Sequence, residues 1–227
     1  MKLEQLDQWY VECKHHVSGT VREVVEYCIA NQITSAKVID VGSNVGGFVE
    51  GLSNHITIED AIQIEPIEML REYAKNLHPE YTYIGNPVSN KVQTVHIYTN
   101  PDSLNLGTSK IMPNPPETDV QAYETTTLTI LSRQFNFKAD IVKVDAEGHD
   151  IECIDGYLEY LQETGHRPAL ITIERTRDMD FSALLSALEL LGYRMTYLGH
   201  LDASSELFFI PKDANKSYHM IEYEKGA

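Results

Sequence analysis

Apolar positions change their rhythm along this chain, and the changes mark out its elements. In the first 33 residues Val17, Val21, Val24, Val25, Cys28 and Ile29 fall at steps of three and four, which predicts an amphipathic helix lying on something apolar. Short apolar runs then take over. Lys37 to Val41 (KVIDV), Ala61 to Ile64 (AIQI), Tyr81 to Ile84, Asp140 to Val144 (DIVKV) and Leu170 to Ile173 (LITI) read as strands. Helical spacing separates them at Gly46 to Leu52, Ile67 to Leu77, Thr127 to Phe135 and His149 to Leu161. Val92 to Tyr98 alternates and predicts an extra strand or hairpin arm. Residues 100–122 are proline-rich and aperiodic, a long loop of the kind that is functional or disordered. Phe181 to Leu191 forms a last amphipathic helix, stopped by Gly192, and Tyr193 to Leu198 and Glu206 to Ile210 form two closing strands joined by a short turn.

Strand and helix alternate until the final pair of strands. Alternation predicts a parallel sheet with helices on both faces, and the final pair predicts an antiparallel edge. No internal repeat and no second domain interrupt the pattern, so residues 1–35 are expected to form a helical cap on one domain spanning 36–227. Composition narrows the class. With 34 acidic against 18 basic residues, the net charge of −16 repels nucleic-acid backbones and anionic membrane surfaces. Cys13, Cys28 and Cys153 have no metal-binding or C-x-x-C spacing, and three is an odd number for a disulfide framework. MKLEQLDQWY lacks the apolar stretch of a secretory signal, and no run approaches a membrane span, so a cytoplasmic protein is expected.

Two motifs carry the chemistry. The first is Asp40-Val-Gly42-Ser43-Asn44-Val-Gly46-Gly47-Phe48, at a strand-to-helix turn. Gly42 permits a sharp turn, Gly46 lets a ligand approach the backbone, and the next helix points its amides at the same place. Glu65 follows the second strand, 25 residues beyond Asp40, where a carboxylate can accept both hydroxyls of a ribose. The glycine spacing fails the G-x-G-x-x-G of dinucleotide folds, and Asp40 would set a negative charge near phosphates. S-adenosylmethionine has no phosphate and brings an ammonium and a sulfonium. A nicotinamide-dependent oxidoreductase is therefore the weaker alternative.

The second motif is Lys143-Val-Asp145-Ala-Glu147-Gly148-His149-Asp150, with five ionisable groups in eight residues. Strand alternation puts Lys143 and Asp145 on one face, where an ion pair with Asp145 or Glu147 would let the lysine be buried. Asp150 and Glu147 suit the start of the next helix electrostatically.

With both motifs in view, the chain resembles the FkbM-like methyltransferases. VIDVGSNVGGF matches that family's cofactor turn, IVKVDAEGHDIECIDG its second signature, QIEP the segment around Glu65 and Pro66, and ITIE, ending at Glu174, the next strand. The likeness runs over roughly residues 36–175. One departure is Thr129, in TTLTIL, where the family often carries an acid. The resemblance implies a Rossmann-like class I methyltransferase fold with a mainly parallel seven-stranded sheet. It also implies methyl transfer from S-adenosylmethionine, most often to an oxygen of a sugar or natural product. It would set Asp40, Gly42, Ser43, Asn44 and Gly46 at the methionine end, Glu65 and Pro66 at the ribose, the Asn86 to Asn90 segment with Val88 near adenine, and Asp145 beside the reactive methyl. A cofactor-binding domain without catalysis is a further alternative.

Alcohols are weak nucleophiles, so a base is expected near the acceptor. His149 is the first candidate, because imidazole titrates near neutrality, and Asp145 the second, with Lys143 completing the catalytic set. Mg²⁺ bound by Asp145, Glu147 and Glu174 is the alternative to a metal-free base. The acceptor is expected to be a small molecule or glycan, its pocket shaped by the first helix and the 100–122 loop.

Overall fold

The computed structural model describes residues 3–99, 109–112, 120–175, 180–198, 205–216 and 220–222. A long helix, α1 (Leu3–Ala30), leads into β1 (Ser35–Val41), α2 (Gly47–Ser53), β2 (Thr57–Ile64), α3 (Glu68–Leu77) and β3 (Thr82–Ile84). Three short strands follow, β4 (Thr94–Tyr98), β5 (Lys110–Ile111) and β6 (Val120–Glu124). The chain continues with α4 (Leu128–Gln134), β7 (Ile141–Val144), α5 (Asp150–Thr164), β8 (Leu170–Arg175), α6 (Ser182–Leu190), β9 (Tyr193–Leu198), β10 (Ser205–Pro211) and β11 (Met220–Glu222).

The main sheet has the order β11-β9-β10-β8-β7-β1-β2-β3. The five strands from β3 to β8 run parallel, and β10 lies antiparallel between β8 and β9. This is the expected seven-stranded sheet with its antiparallel closing pair, to which β11 adds a short antiparallel edge. The turn expected between β9 and β10 lies outside the described residues. β4 pairs with β5 and β6 in a separate antiparallel sheet, so Val92 to Tyr98 does supply a strand and the 100–122 segment carries part of two others.

Strand alternation divides the core in two. Ile39, Val41, Val142, Val144, Ile171, Ile173, Leu207 and Phe209 point to one face, against Leu131, Ile154, Tyr157 and Leu188 of α4, α5 and α6. Ala36, Val38, Ile141, Leu170, Phe208 and Ile210 point to the other, against Val24, Cys28, Phe48 and Leu52 of α1 and α2. The predicted stripe on α1 packs as expected except for Ile29, which is 70% exposed. Its spacing fits the stripe, but α1 has only one sheet to lie on, and Ile29 is turned away from it.

That second face changes character toward the carboxyl ends of the parallel strands. By the same parity Asp40, Gln63, Lys143, Thr172, Glu174 and Glu206 project on the α1 side. The N-terminal half of α1 passes over these polar groups, and a cavity of about 510 Å³ lies between.

Candidate active site

The turn between β1 and α2 forms one wall. Gly42, Asn44 and Gly46 have φ of 70°, 50° and 84°, in the left-handed region that favours glycine and tolerates asparagine. The Gly42 and Ser43 amides both donate to the Ile64 carbonyl at 3.0 Å, which fixes the turn to the end of β2. A Cβ on Gly42 would sit 1.9 Å from the Asp145 carbonyl oxygen, so the two motifs touch through a contact that only glycine allows.

Glu65, 6% exposed, closes this wall. Its carboxylate accepts the Asn44 amide at 2.9 Å and the Ile67 amide at 2.8 Å. Burial nevertheless pushes its pKa up to about 7. Ser43 Oγ is buried without a hydrogen-bond partner among the described residues, and Ser43 lines the cavity. Pro66, Ile67, Pro87 and Val88 continue the same side.

Lys143 forms the floor. Its ammonium donates to the Gly42 carbonyl at 3.1 Å and lies 3.2 Å from Asp40 Oδ1 and 3.3 Å from Asp145 Oδ2. Burial would favour the neutral amine, but the Asp145 and Asp40 carboxylates outweigh it and hold the lysine charged. Asp40, fully buried, is beneath the cavity and does not line it, and its carboxyl is pushed up by burial against the pull of Lys143. Gly46 likewise backs the turn, behind the cavity lining.

Asp145, Glu147, Glu174 and Glu206 stand around the far end. Glu206 and Glu174 face each other across β10 and β8. Glu206 accepts hydroxyl hydrogen bonds from Thr20 at 3.0 Å and Thr172 at 2.9 Å, one to each oxygen. Burial, with the Asp145 charge beside them, pushes Glu147 and Glu206 up to about 7 and Glu174 up to about 8. Among the described residues no group of three His, Cys, Asp or Glu side chains is arranged to hold a metal ion, the Asp145, Glu147 and Glu174 set included.

His149 is elsewhere. It stands at the N-cap position of α5 without a side-chain capping bond, with Nε2 3.0 Å from the Ser89 hydroxyl and Nδ1 3.7 Å from Glu152, and it does not line the cavity. Burial lowers its basicity. Asp150, also buried, accepts the Ala146 and Gly148 amides at 3.0 Å each and ties the loop through Glu147, whose φ is 50°. The departure at Thr129 is structural: its buried hydroxyl accepts the Tyr160 amide at 3.2 Å.

The remaining walls come from residues the motifs do not contain. α1 contributes Trp9, Cys13, His16, Val17 and Thr20, and the small sheet contributes Ile97 and Ile111. Sequence reading assigned α1 and the 100–122 segment to the pocket as segments only. Glu206 was missed, although its parity with Phe208 and Ile210 in ELFFI marks it as a polar group on a buried face.

Turn, distal acid and cavity at the carboxyl ends of parallel strands define the S-adenosylmethionine-dependent methyltransferase fold, and solved structures share it. A methyltransferase FkbM from Methylobacillus flagellatus KT is 16% identical with a TM-score of 0.53 over 78% of this chain. Magnesium protoporphyrin IX methyltransferase from Synechocystis PCC 6803, solved with bound SAM, is 11% identical with a TM-score of 0.51, over 90% of this chain and 83% of its own. No curated protein matches. The methyltransferase FkbM domain model matches residues 22–195, and the chain belongs to that family. It spans 44% of the length of the Methylobacillus protein. No helix among the described residues is long and apolar enough to cross a membrane.

Proposed function

We propose that this protein transfers the methyl group of S-adenosylmethionine to a hydroxyl of a small carbohydrate or carbohydrate-like acceptor. The observation that carries the reading is the polarity of the cavity. Glu65, Asp145, Glu147, Glu174 and Glu206 line it, and Lys143 is its one lysine or arginine among the described residues. Such a lining rejects the pyrophosphate of a nicotinamide dinucleotide. It accepts a sulfonium, an ammonium and the hydroxyls of a ribose.

The residues fit the cofactor. Glu65 keeps lone pairs free to accept the ribose hydroxyls beyond the two backbone amides it already holds. Ser43 Oγ supplies a buried hydroxyl that lacks a partner in the protein. Pro66 and Val88 offer apolar sides to a base. When bound, S-adenosylmethionine supplies an electrophilic methyl group on a sulfonium.

This chain's own residues must then orient the acceptor and remove its proton. Asp145 is held by Lys143 in the wall of the cavity. Glu206 takes the proton: the Thr20 and Thr172 hydroxyls fix both of its oxygens, and burial brings its pKa to about 7, where a base works best. Glu174, facing it across the β8–β10 pair, is raised further, to about 8, by burial. Ile97 and Ile111 give the acceptor an apolar face. The absence of His149 from the lining moves this role away from the histidine.

The test is transfer of labelled methyl to a panel of glycans, small alcohols, RNA and protein, with mass spectrometry of the products. Labelled hydroxyls on a glycan or small alcohol support the reading. Labelling of RNA alone, or tight NADH binding without S-adenosylmethionine binding, overturns it.

A further inference from the structure

Trp9 is the one tryptophan of the chain, and it lies 13 residues before the start of the family match at residue 22. The residue is 8% exposed, packed with Leu6, Val45 and Leu70, and it lines the cavity. Its indole N–H donates to Asn44 Oδ1 at 2.9 Å. Asn44 is the non-glycine residue of the cofactor turn with positive φ, 50°, and its own amide donates to Glu65 Oε2 at 2.9 Å. A relay of two hydrogen bonds thus runs from the part of α1 that precedes the family match, through the non-glycine residue of the turn with positive φ, to the carboxylate assigned to the ribose.

Packing alone would satisfy a buried aromatic ring. It would not require the indole nitrogen to meet the side chain of the one non-glycine residue of the turn whose backbone is left-handed. Asparagine tolerates that conformation when its polar side chain has a partner, and the partner here comes from α1.

We propose that Trp9 is a positioning residue of the cofactor site: its N–H holds Asn44 in the left-handed conformation that presents the Asn44 amide to Glu65, so that the first turns of α1, before the family match begins at residue 22, support the binding site. The inference rests on the cofactor reading given above. Its consequence is electrostatic. Glu65 is buried, and the Ile67 and Asn44 amides, Lys143 on β7 and Arg71 on α3 favour its charged form. Arg71 reaches its backbone carbonyl at 2.8 Å, and the Glu65 charge in turn acts on Tyr123 of β6. Losing the Asn44 amide removes one of the two hydrogen bonds to the carboxylate. Glu65 would then ionise at higher pH, and a carboxylate that accepts ribose hydroxyls would be available only at higher pH.

Trp9→Phe keeps the ring and deletes the donor. Calorimetry with S-adenosylhomocysteine from pH 5.5 to 8.5 should give about tenfold weaker binding at pH 7, with the pH midpoint of binding moved upward. Adding Asn44→Gly should restore most of the affinity, because glycine adopts positive φ without a side-chain partner. Wild-type affinity in Trp9→Phe at every pH overturns the proposal. So does a pH-independent loss that Asn44→Gly fails to restore, which would make Trp9 a packing residue only. In the wild-type protein, with the single tryptophan excited selectively over the tyrosines, saturation with S-adenosylhomocysteine should shift the tryptophan emission and lower its quenching by acrylamide; an unchanged spectrum also counts against it. If wild-type protein does not bind S-adenosylhomocysteine at all, the cofactor reading falls and this inference falls with it. Binding by wild type with no effect in Trp9→Phe removes the inference alone.

Discussion

The two faces of the main sheet are built from the same strands and do different things. On the face toward α4, α5 and α6 the alternating residues stay apolar from end to end, through Val144 and Ile173. On the face toward α1 and α2 they are apolar at the amino ends, as with Val38, Ile141 and Leu170, and polar at the carboxyl ends, as with Asp40, Lys143 and Glu174. The first face is a closed core whose removal costs stability. The second stops being a core half-way along and becomes the floor of a cavity. Buried carboxylates there are pushed toward neutral acidity because the fold removes water without supplying an equal number of cations.

The sharpest way to break this comparison is Glu206→Gln. The amide is isosteric and keeps both threonines once one hydroxyl turns to accept from its NH₂, so the fold should survive while kcat falls by about 10²–10⁴-fold with an acceptor in hand. A change under about threefold would remove Glu206 as the proton acceptor. The matching change on the other face is Ile173→Ala. It should cost about 2–5 kcal/mol in urea denaturation through the cavity it leaves, with S-adenosylhomocysteine affinity in the folded protein unchanged.

Proton linkage gives a smaller effect of definite sign. Glu65, Glu147, Glu174 and Glu206 are raised from 4.5 to between about 7 and about 8 by burial, so each binds a proton more tightly in the folded chain than in the unfolded one. The stability this contributes is fully present below the unfolded value and is lost as pH rises through the folded values. The ligand-free protein should therefore melt on the order of 5 °C lower at pH 8.5 than at pH 5.5, a trend that Glu206→Gln should flatten. A melting temperature that rises over that interval would contradict the burial of these groups as acids. His149→Ala should change least. Its ring bonds Ser89 away from the cavity, and kcat should stay within about threefold of wild type. A loss of 10²-fold would return the histidine to the mechanism.

The order of elements was legible because each strand and helix carries its own period, and Lys143 and Asp145 could be placed on one face by counting alone. The glycine turn was legible because its conformation is local: Gly42 and Gly46 have the positive φ that their spacing suggested. What could not be read depends on strand order. Glu206 comes beside Glu174 because β10 inserts between β8 and β9, and no local pattern encodes that insertion. Trp9 and Thr20 reach the site because α1 crosses that face, and its apolar stripe specified burial without specifying direction. His149 carried the chemistry of a base in the right motif, but it stands at the N-cap position of α5 and points to Ser89 instead of the cavity.

The central claim is that the glycine turn and Glu65 bind S-adenosylmethionine. Calorimetry of the cofactor against wild type and Glu65→Ala tests it most directly. The account predicts saturable one-to-one binding by wild type, weakened about 10²-fold in Glu65→Ala by the loss of hydrogen bonds to a charged group. Equal affinity in the two proteins, or NADH binding where S-adenosylmethionine gives no heat, would contradict it.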